Sequence, residues 1–122
     1  MIRYCMTLDL KNDPELIREY EEHHQAVWPE IVHSIRSAGV YSMEIYRYDT
    51  RLVMFMEVPD DFDFGQKAEA DQNNPAVQAW ENLMWKYQQA LPVSRPGEKW
   101  MLMDKIFELD QDGVRPQPAT NR

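Results

Sequence analysis

Leu52-Val53-Met54-Phe55-Met56 places five apolar side chains in a row within a segment of strand formers. Successive side chains of a strand point to opposite faces, so a run without alternation demands cover on both sides. At 122 residues the chain has room for one domain and none for a second core. Its helices can cover one face of a sheet. A second copy of the chain, packed sheet to sheet, is the simplest cover for the other, so a homodimer is expected.

The rest of the sequence fits around that strand. Ile2, Tyr4, Met6, Leu8 and Leu10 alternate with Arg3, Cys5, Thr7 and Asp9, which reads as a first strand over 2–10. Asp13-Pro14 starts a helix, with Asp as N-cap and Pro pre-set for the first helical position. Ile17, Tyr20, His24, Val27 or Trp28, Ile31, Ile35 and Ala38 then follow three- and four-residue steps down one face. Pro29 removes a backbone donor and crowds the preceding turn, so a kink or break is expected at Trp28-Pro29. Gly39 is the C-terminal stop. Segments 40–48 and 51–58 form a hairpin around Asp49-Thr50, followed by an acidic loop and a short helix near 65–72. Asn74-Pro75 opens a further helix expected to run to about Ala90, and Trp100 to Leu109 reads as the last strand. The order strand, helix, strand, strand, helix, strand belongs to the α+β class, as a ferredoxin-like sandwich. A domain over 1–109 is therefore expected, with a flexible tail over 110–122 where apolar residues run out.

Charge excludes some partners. Asp plus Glu number 21 against 13 for Lys plus Arg, a net charge of −8 with no basic run, which disfavours nucleic acid and anionic membrane surfaces. A neutral small molecule meets no such penalty. Cys5 is the lone cysteine, so no internal disulfide can form and a reducing, cytoplasmic setting is expected. Met1-Ile2-Arg3-Tyr4-Cys5 has no long apolar region of a signal peptide, and no stretch approaches the roughly 20 apolar residues of a membrane span.

His24 is the most informative position. It lies one turn after Tyr20 and one turn before Trp28 on the apolar stripe, so a titratable imidazole faces inward between aromatic rings. The pattern alone admits a core histidine as readily as a general acid or base. His23, about 100° away and aligned with Glu19, is expected on a solvated face. Glu21-Glu22-His23-His24 makes a poor metal site, because adjacent histidines on a helix diverge and no His-x-x-x-His or Cys pair completes a set. Two of the four tryptophans, Trp80 and Trp85, lie on the second long helix; a tryptophan face suits the C–H face of a sugar as well as a core.

Tyr20-x-x-x-His24-x-x-x-Trp28-Pro29-Glu30, with Gly39 and then Ile45-Tyr46, resembles the signature of the L-rhamnose mutarotases over about residues 2–109. The resemblance implies a dimeric ferredoxin-like fold that uses no metal or cofactor and takes a monosaccharide. It also implies that Tyr20 is the helix tyrosine of the site, His24 the catalytic histidine and Trp80 the first of two adjacent tryptophans. Met43 stands where the family has a substrate-contacting tyrosine, and Glu81 where it has the second tryptophan. Met43-Glu44-Ile45-Tyr46, the segment from Leu83 to Gln89, and Pro96-Gly97-Glu98-Lys99-Trp100 look more like the branch assigned to L-fucose. The implied activity is interconversion of the α and β anomers of a deoxy-hexose, L-fucose first and L-rhamnose next. His24 would carry the proton, Tyr20 or a carboxylate such as Glu44 would complement it, and Trp80 would hold the sugar face. A non-catalytic sugar-binding or dimeric interaction module is the alternative, and a cofactor-free oxygenase of related fold a third.

Overall fold

In a computed structural model, which describes residues 1–118, the chain opens with β1 (Ile2–Leu10), α1 (Pro14–His23) and α2 (Pro29–Ser37). A hairpin follows, β2 (Ser42–Tyr48) and β3 (Arg51–Val58), then α3 (Phe64–Gln72) and α4 (Pro75–Trp85). Four short strands complete it: β4 (Gln88–Gln89), β5 (Met101–Leu102), β6 (Glu108–Asp110) and β7 (Gly113–Arg115).

β2, β3, β1 and β4 form an antiparallel sheet in that order, and β5 joins β1 further along the edge that β4 occupies. Together β4 and β5 fill the place of a single fourth strand, which gives the ferredoxin-like order expected from sequence. Register fixes the two faces. Met6 lies opposite Met54 and Leu8 opposite Leu52, while Met43 and Ile45 lie opposite Met56 and Met54. These side chains face the helices and, with Tyr20, Ile31, Val77, Trp80 and Met84, enclose the core. Cys5, Val53 and Phe55 fall on the far face, where Tyr46 stands edge-on to Phe55 and the Arg3 guanidinium sits 4.4 Å over its ring.

Helix starts follow the sequence signals. Asp13 accepts from the amides of Glu15 and Leu16, Asp63 from Gly65 and Gln66, and Asn74 from Ala76 and Val77. The break before Pro29 is a full interruption. α1 ends at His23, residues 24–26 tighten into i→i−3 turns, and Trp28 takes the extended conformation that a following proline imposes. Gly39, at φ +95°, stops α2.

Two expected elements differ. α4 ends at Trp85 rather than Ala90, because Gln88 and Gln89 pair with Leu10 and Asp9 at the edge of β1. Two ladder positions on the sheet outweigh one further turn of helix. The last strand is also shorter than 100–109: only Met101 and Leu102 pair with β1. Residues 108–115 instead fold on themselves as the β6–β7 hairpin, turning through Gly113 at φ +121°. That hairpin straddles the 109/110 position expected to divide domain from tail. Residues 119–122 of the expected tail lie outside the described residues.

Candidate active site

Between the helices and the inner face of the sheet lies a cavity of about 540 Å³, inside the roughly 300–1,000 Å³ usual for small-molecule sites. Its walls are largely apolar, with methionines of β1, β2 and β3 (Met6, Met43, Met54, Met56) forming the floor. The polar groups come from a few positions on the helices, β4 and the loop before β5.

Tyr20, from the last turn of α1, is 3% exposed and lines the cavity. His24 follows one turn later, at the C-cap, where the helix has just ended. Its Nδ1 lies 2.9 Å from the Tyr20 carbonyl oxygen, and the two rings are 4.4 Å apart between centroids. A carbonyl oxygen only accepts, so neutral His24 carries its proton on Nδ1 and keeps the lone pair on Nε2. Burial holds the imidazole below its ordinary pKa, with the bond to the Tyr20 carbonyl opposing and the neighbouring His23 adding to the drop. Burial also pushes the Tyr20 phenol up to about 12; a hydrogen bond from Gln88 opposes this and the Glu81 charge adds to it. At neutral pH the pair is therefore an uncharged base beside an uncharged phenol.

Trp80 packs over this pair from α4, only 6% exposed, with its ring 5.7 Å from His24 and 5.1 Å from Trp28, both edge to face. Tyr20 and His24, from the helical stripe, and Trp80, from α4, thus line one cavity. Glu44 does not join them within the chain. Side chains alternate along β2, so Met43 and Ile45 line the cavity while Glu44 sits on the far face, opposite Phe55 and accepting from the Tyr46 hydroxyl. His23 is also placed differently from expectation. It is half-buried rather than solvated, because its Nε2 meets the Tyr87 hydroxyl at 3.1 Å, and Tyr87 comes from beyond the end of α4.

Polar members of the wall that sequence reasoning missed include Lys99 and Gln88. Lys99, with its side chain 11% exposed, donates to the Glu81 carboxylate and, at 3.2 Å, to the Glu81 carbonyl. Its ammonium also rests 4.6 Å over the Trp85 ring. Burial lowers the Lys99 pKa, opposed by the hydrogen bond and charge of Glu81. Met43 and Glu81, the two positions that depart from the family pattern, line the cavity, and Trp85 supports the cation paired with Glu81. Gln88 is 3% exposed, and its Nε2 donates to the Tyr20 hydroxyl at 3.4 Å. An exposed-looking Gln-Gln at a helix end gives no sign of this; only the early stop of α4 turns it inward. Among the described residues no group of three His, Cys, Asp or Glu is placed to hold a metal ion, and no helix is long and apolar enough to cross a membrane.

An antiparallel α+β sheet roofed by helices thus holds a phenol, a neutral imidazole and an indole on the wall of one cavity of small-molecule size. A family model described as L-rhamnose mutarotase matches residues 3–109, and the chain belongs to that family. It is a sugar mutarotase, an isomerase that interconverts anomers. It is 49% identical over 113 residues to the L-fucose mutarotase of Xanthomonas campestris pv. campestris, covering 91% of this chain and 90% of that protein. It is 31% identical over 99 residues to the L-rhamnose mutarotase of Phocaeicola vulgatus, covering 80% and 89%. The crystal structure of an L-rhamnose mutarotase from Formosa agariphila shares the fold, at a TM-score of 0.66 and 21% identity over 90% of this chain and all of that one.

Proposed function

We propose that the chain interconverts the α and β anomers of L-fucose, with L-rhamnose a poorer substrate, and that His24 and Tyr20 are the acid–base pair. The observation that carries this reading is the state of the two groups: a neutral imidazole with its lone pair left on Nε2, next to a phenol whose oxygen already accepts from Gln88. Accepting that bond leaves the Tyr20 proton free to be given away.

In ring opening His24 Nε2 takes the proton of the anomeric hydroxyl as its oxygen becomes the carbonyl of the open chain. The bond from C1 to the ring oxygen breaks, and its electron pair stays on that oxygen, which takes the Tyr20 proton. Rotation about C1–C2 turns the other face of the aldehyde towards the hydroxyl. Closure returns one proton to the new anomeric hydroxyl and one to Tyr20, so both residues end as they began. No covalent intermediate forms. One positioned proton-transfer group is worth about 10²–10⁴-fold, ample for a reaction that proceeds unaided in water.

Trp80 gives the apolar face of the sugar a ring to stack on, and the methionine floor suits the methyl group of a 6-deoxy sugar. The 49% identity to a protein named L-fucose mutarotase, against 31% to one named for L-rhamnose, supports L-fucose as the preferred substrate. A homodimer covering Phe55, Val53 and Tyr46 on the far face of the sheet completes the reading, since the described helices pack with the inner-face side chains instead. Saturation transfer between anomer NMR signals tests the function directly. Exchange should be fastest for L-fucose, slower for L-rhamnose and at the background rate for D-glucose; background rates for all three overturn the proposal. Light scattering at micromolar concentration should give twice the chain mass, and a monomer sinks the dimer.

A further inference from the structure

Two ion pairs stand on the cavity wall: Lys67–Asp71 from α3, and Glu81–Lys99 from α4 and the loop before β5. The first is closed. Asp71 Oδ2 accepts from Lys67 at 2.6 Å and Oδ1 from the Ser34 hydroxyl at 3.4 Å, so both carboxylate oxygens already have donors. The second is half open. Lys99 donates to Glu81 Oε2 and to the Glu81 carbonyl, which pins the carboxylate beside its own helix. Trp85, one turn on, holds the ammonium from its other side. Glu81 Oε1 accepts no hydrogen bond among the described residues, yet it is not among the buried unpaired atoms, and its side chain is 42% exposed. A donor can therefore reach it.

The open pair also stands close to the proposed chemistry. Glu81 follows Trp80, whose ring packs against His24, and its negative charge is felt at the Tyr20 phenol. Burying an ammonium to 11% exposure against one carboxylate is a poor source of stability. It does fix where that carboxylate stands.

We propose that Glu81 and Lys99 form a charged subsite of the cavity, in which Glu81 accepts from a sugar hydroxyl other than the anomeric one and Lys99 is the positioning residue. The inference rests on the mutarotase reading above, which gives the anomeric hydroxyl to His24 and the ring oxygen to Tyr20. A carboxylate only accepts, so its partner is an O–H; the ring oxygen and the methyl group are excluded. The candidates on L-fucose are the hydroxyls at C2, C3 and C4. A hydrogen bond to a carboxylate is about twice as strong as a neutral one, so a sugar lacking that hydroxyl is strongly disfavoured. Ring opening leaves these hydroxyls unchanged, so the subsite acts on binding and specificity and not on the chemical step.

The test uses L-fucose and the analogues that lack one hydroxyl at C2, C3 or C4. Affinity is measured by ligand-observed NMR titration and anomer exchange by saturation transfer. The parent should bind at least one analogue about tenfold or more weakly than L-fucose. The double variant Glu81→Met, Lys99→Met replaces the pair by apolar chains of similar length and should melt near the parental temperature. It should lose about tenfold or more for L-fucose through KM, with kcat within a few-fold of the parent. For one analogue the gap to L-fucose should close, which identifies the hydroxyl read, while the other gaps persist. Lys99→Met alone should weaken L-fucose and spare that same analogue, whereas a purely structural loss strikes all four sugars alike. Should the double variant not fold, Glu81→Gln decides: its neutral amide should narrow the same single gap by several-fold. Parental affinity for L-fucose in the deciding variant overturns the inference, as do gaps that all persist or a fall in kcat comparable to the rise in KM. A parent that binds L-fucose with the expected gap but exchanges no anomers sinks the mutarotase reading and leaves the subsite standing. A parent that binds none of the sugars sinks both.

Discussion

Two tyrosine–histidine pairs meet the Trp80 indole, built from the same residue types and put to different uses. His24 and His23 both stand edge to face against Trp80, at 5.7 and 6.3 Å. In the outer pair the Tyr87 hydroxyl donates to Glu19, so His23 Nε2 is the donor to Tyr87, and Lys86 closes the chain at Glu19. Each proton in that series already has its acceptor. In the inner pair His24 Nδ1 is tied to the Tyr20 carbonyl and the Tyr20 oxygen accepts from Gln88, while His24 Nε2 and the Tyr20 proton are left over on a cavity wall. Residue identity does not distinguish a structural pair from a reactive one here. Unspent hydrogen-bonding capacity facing a cavity does.

The sharpest way to break this contrast is to remove one histidine at a time. His24→Ala should slow anomer exchange by about 10²-fold or more, because the proton acceptor is gone. The fold should survive, since truncating a half-buried ring costs a few kcal/mol at most. Exchange at the parental rate in folded His24→Ala protein would return His24 to the core. Tyr20→Phe should follow with a loss of about tenfold to 10²-fold, smaller because water can replace the phenol as a donor. Its fold is checked by near-ultraviolet circular dichroism, and an unchanged rate would move the acid to another group.

A milder test is pH. Turnover needs neutral His24, and burial lowers its pKa, so the acid limb of the rate should lie below the ordinary imidazole value of 6.5. Tyr20, held up to about 12, should add no alkaline limb in the neutral range. Stability has the same sign. Between the lowered folded pKa and 6.5 the unfolded chain binds a proton that the native state refuses, so stability rises with pH across that window and is complete above it. A rate limb above 6.5 would contradict the neutral, buried imidazole.

The sequence made half of this contrast legible. Tyr20 and His24 are four apart on an amphipathic helix, so their convergence follows from helical geometry, and a titratable side chain amid leucine-like neighbours drew attention to itself. Trp80 was readable for the same reason on α4. The strand alternation that fixed the inner face was equally visible, and applied strictly it puts Met43 and Ile45 inward and Glu44 outward. Local pattern could not supply the long-range partners. His23 finds Tyr87 sixty-four residues away, and Lys99 finds Glu81 across a loop. Gln88 was hidden by helix propensity, which favours another turn after Trp85 until the β1 edge is offered as a competitor. Contacts of that kind depend on the assembled sheet.

The smallest expected effect concerns the coupling between the pairs. His23 is no part of the proposed chemistry, so His23→Ala should leave the plateau rate within a few-fold of the parent. It should cost about 1 kcal/mol of stability through the lost bond to Tyr87. It should still be felt in the pH profile. A protonated His23 makes protonation of His24 harder, and that repulsion is one cause of the lowered His24 pKa. Removing it should raise the His24 pKa and move the acid limb of the exchange rate to higher pH. The shift should stop short of 6.5, because burial, the larger cause, is untouched. Raised salt should shrink the difference between parent and variant, since it screens the repulsion between the rings but not the desolvation. An acid limb that stays where it was at low salt would mean the two imidazoles do not sense each other. A fall in the plateau comparable to that of His24→Ala would place His23 in the machinery and erase the division between the pairs.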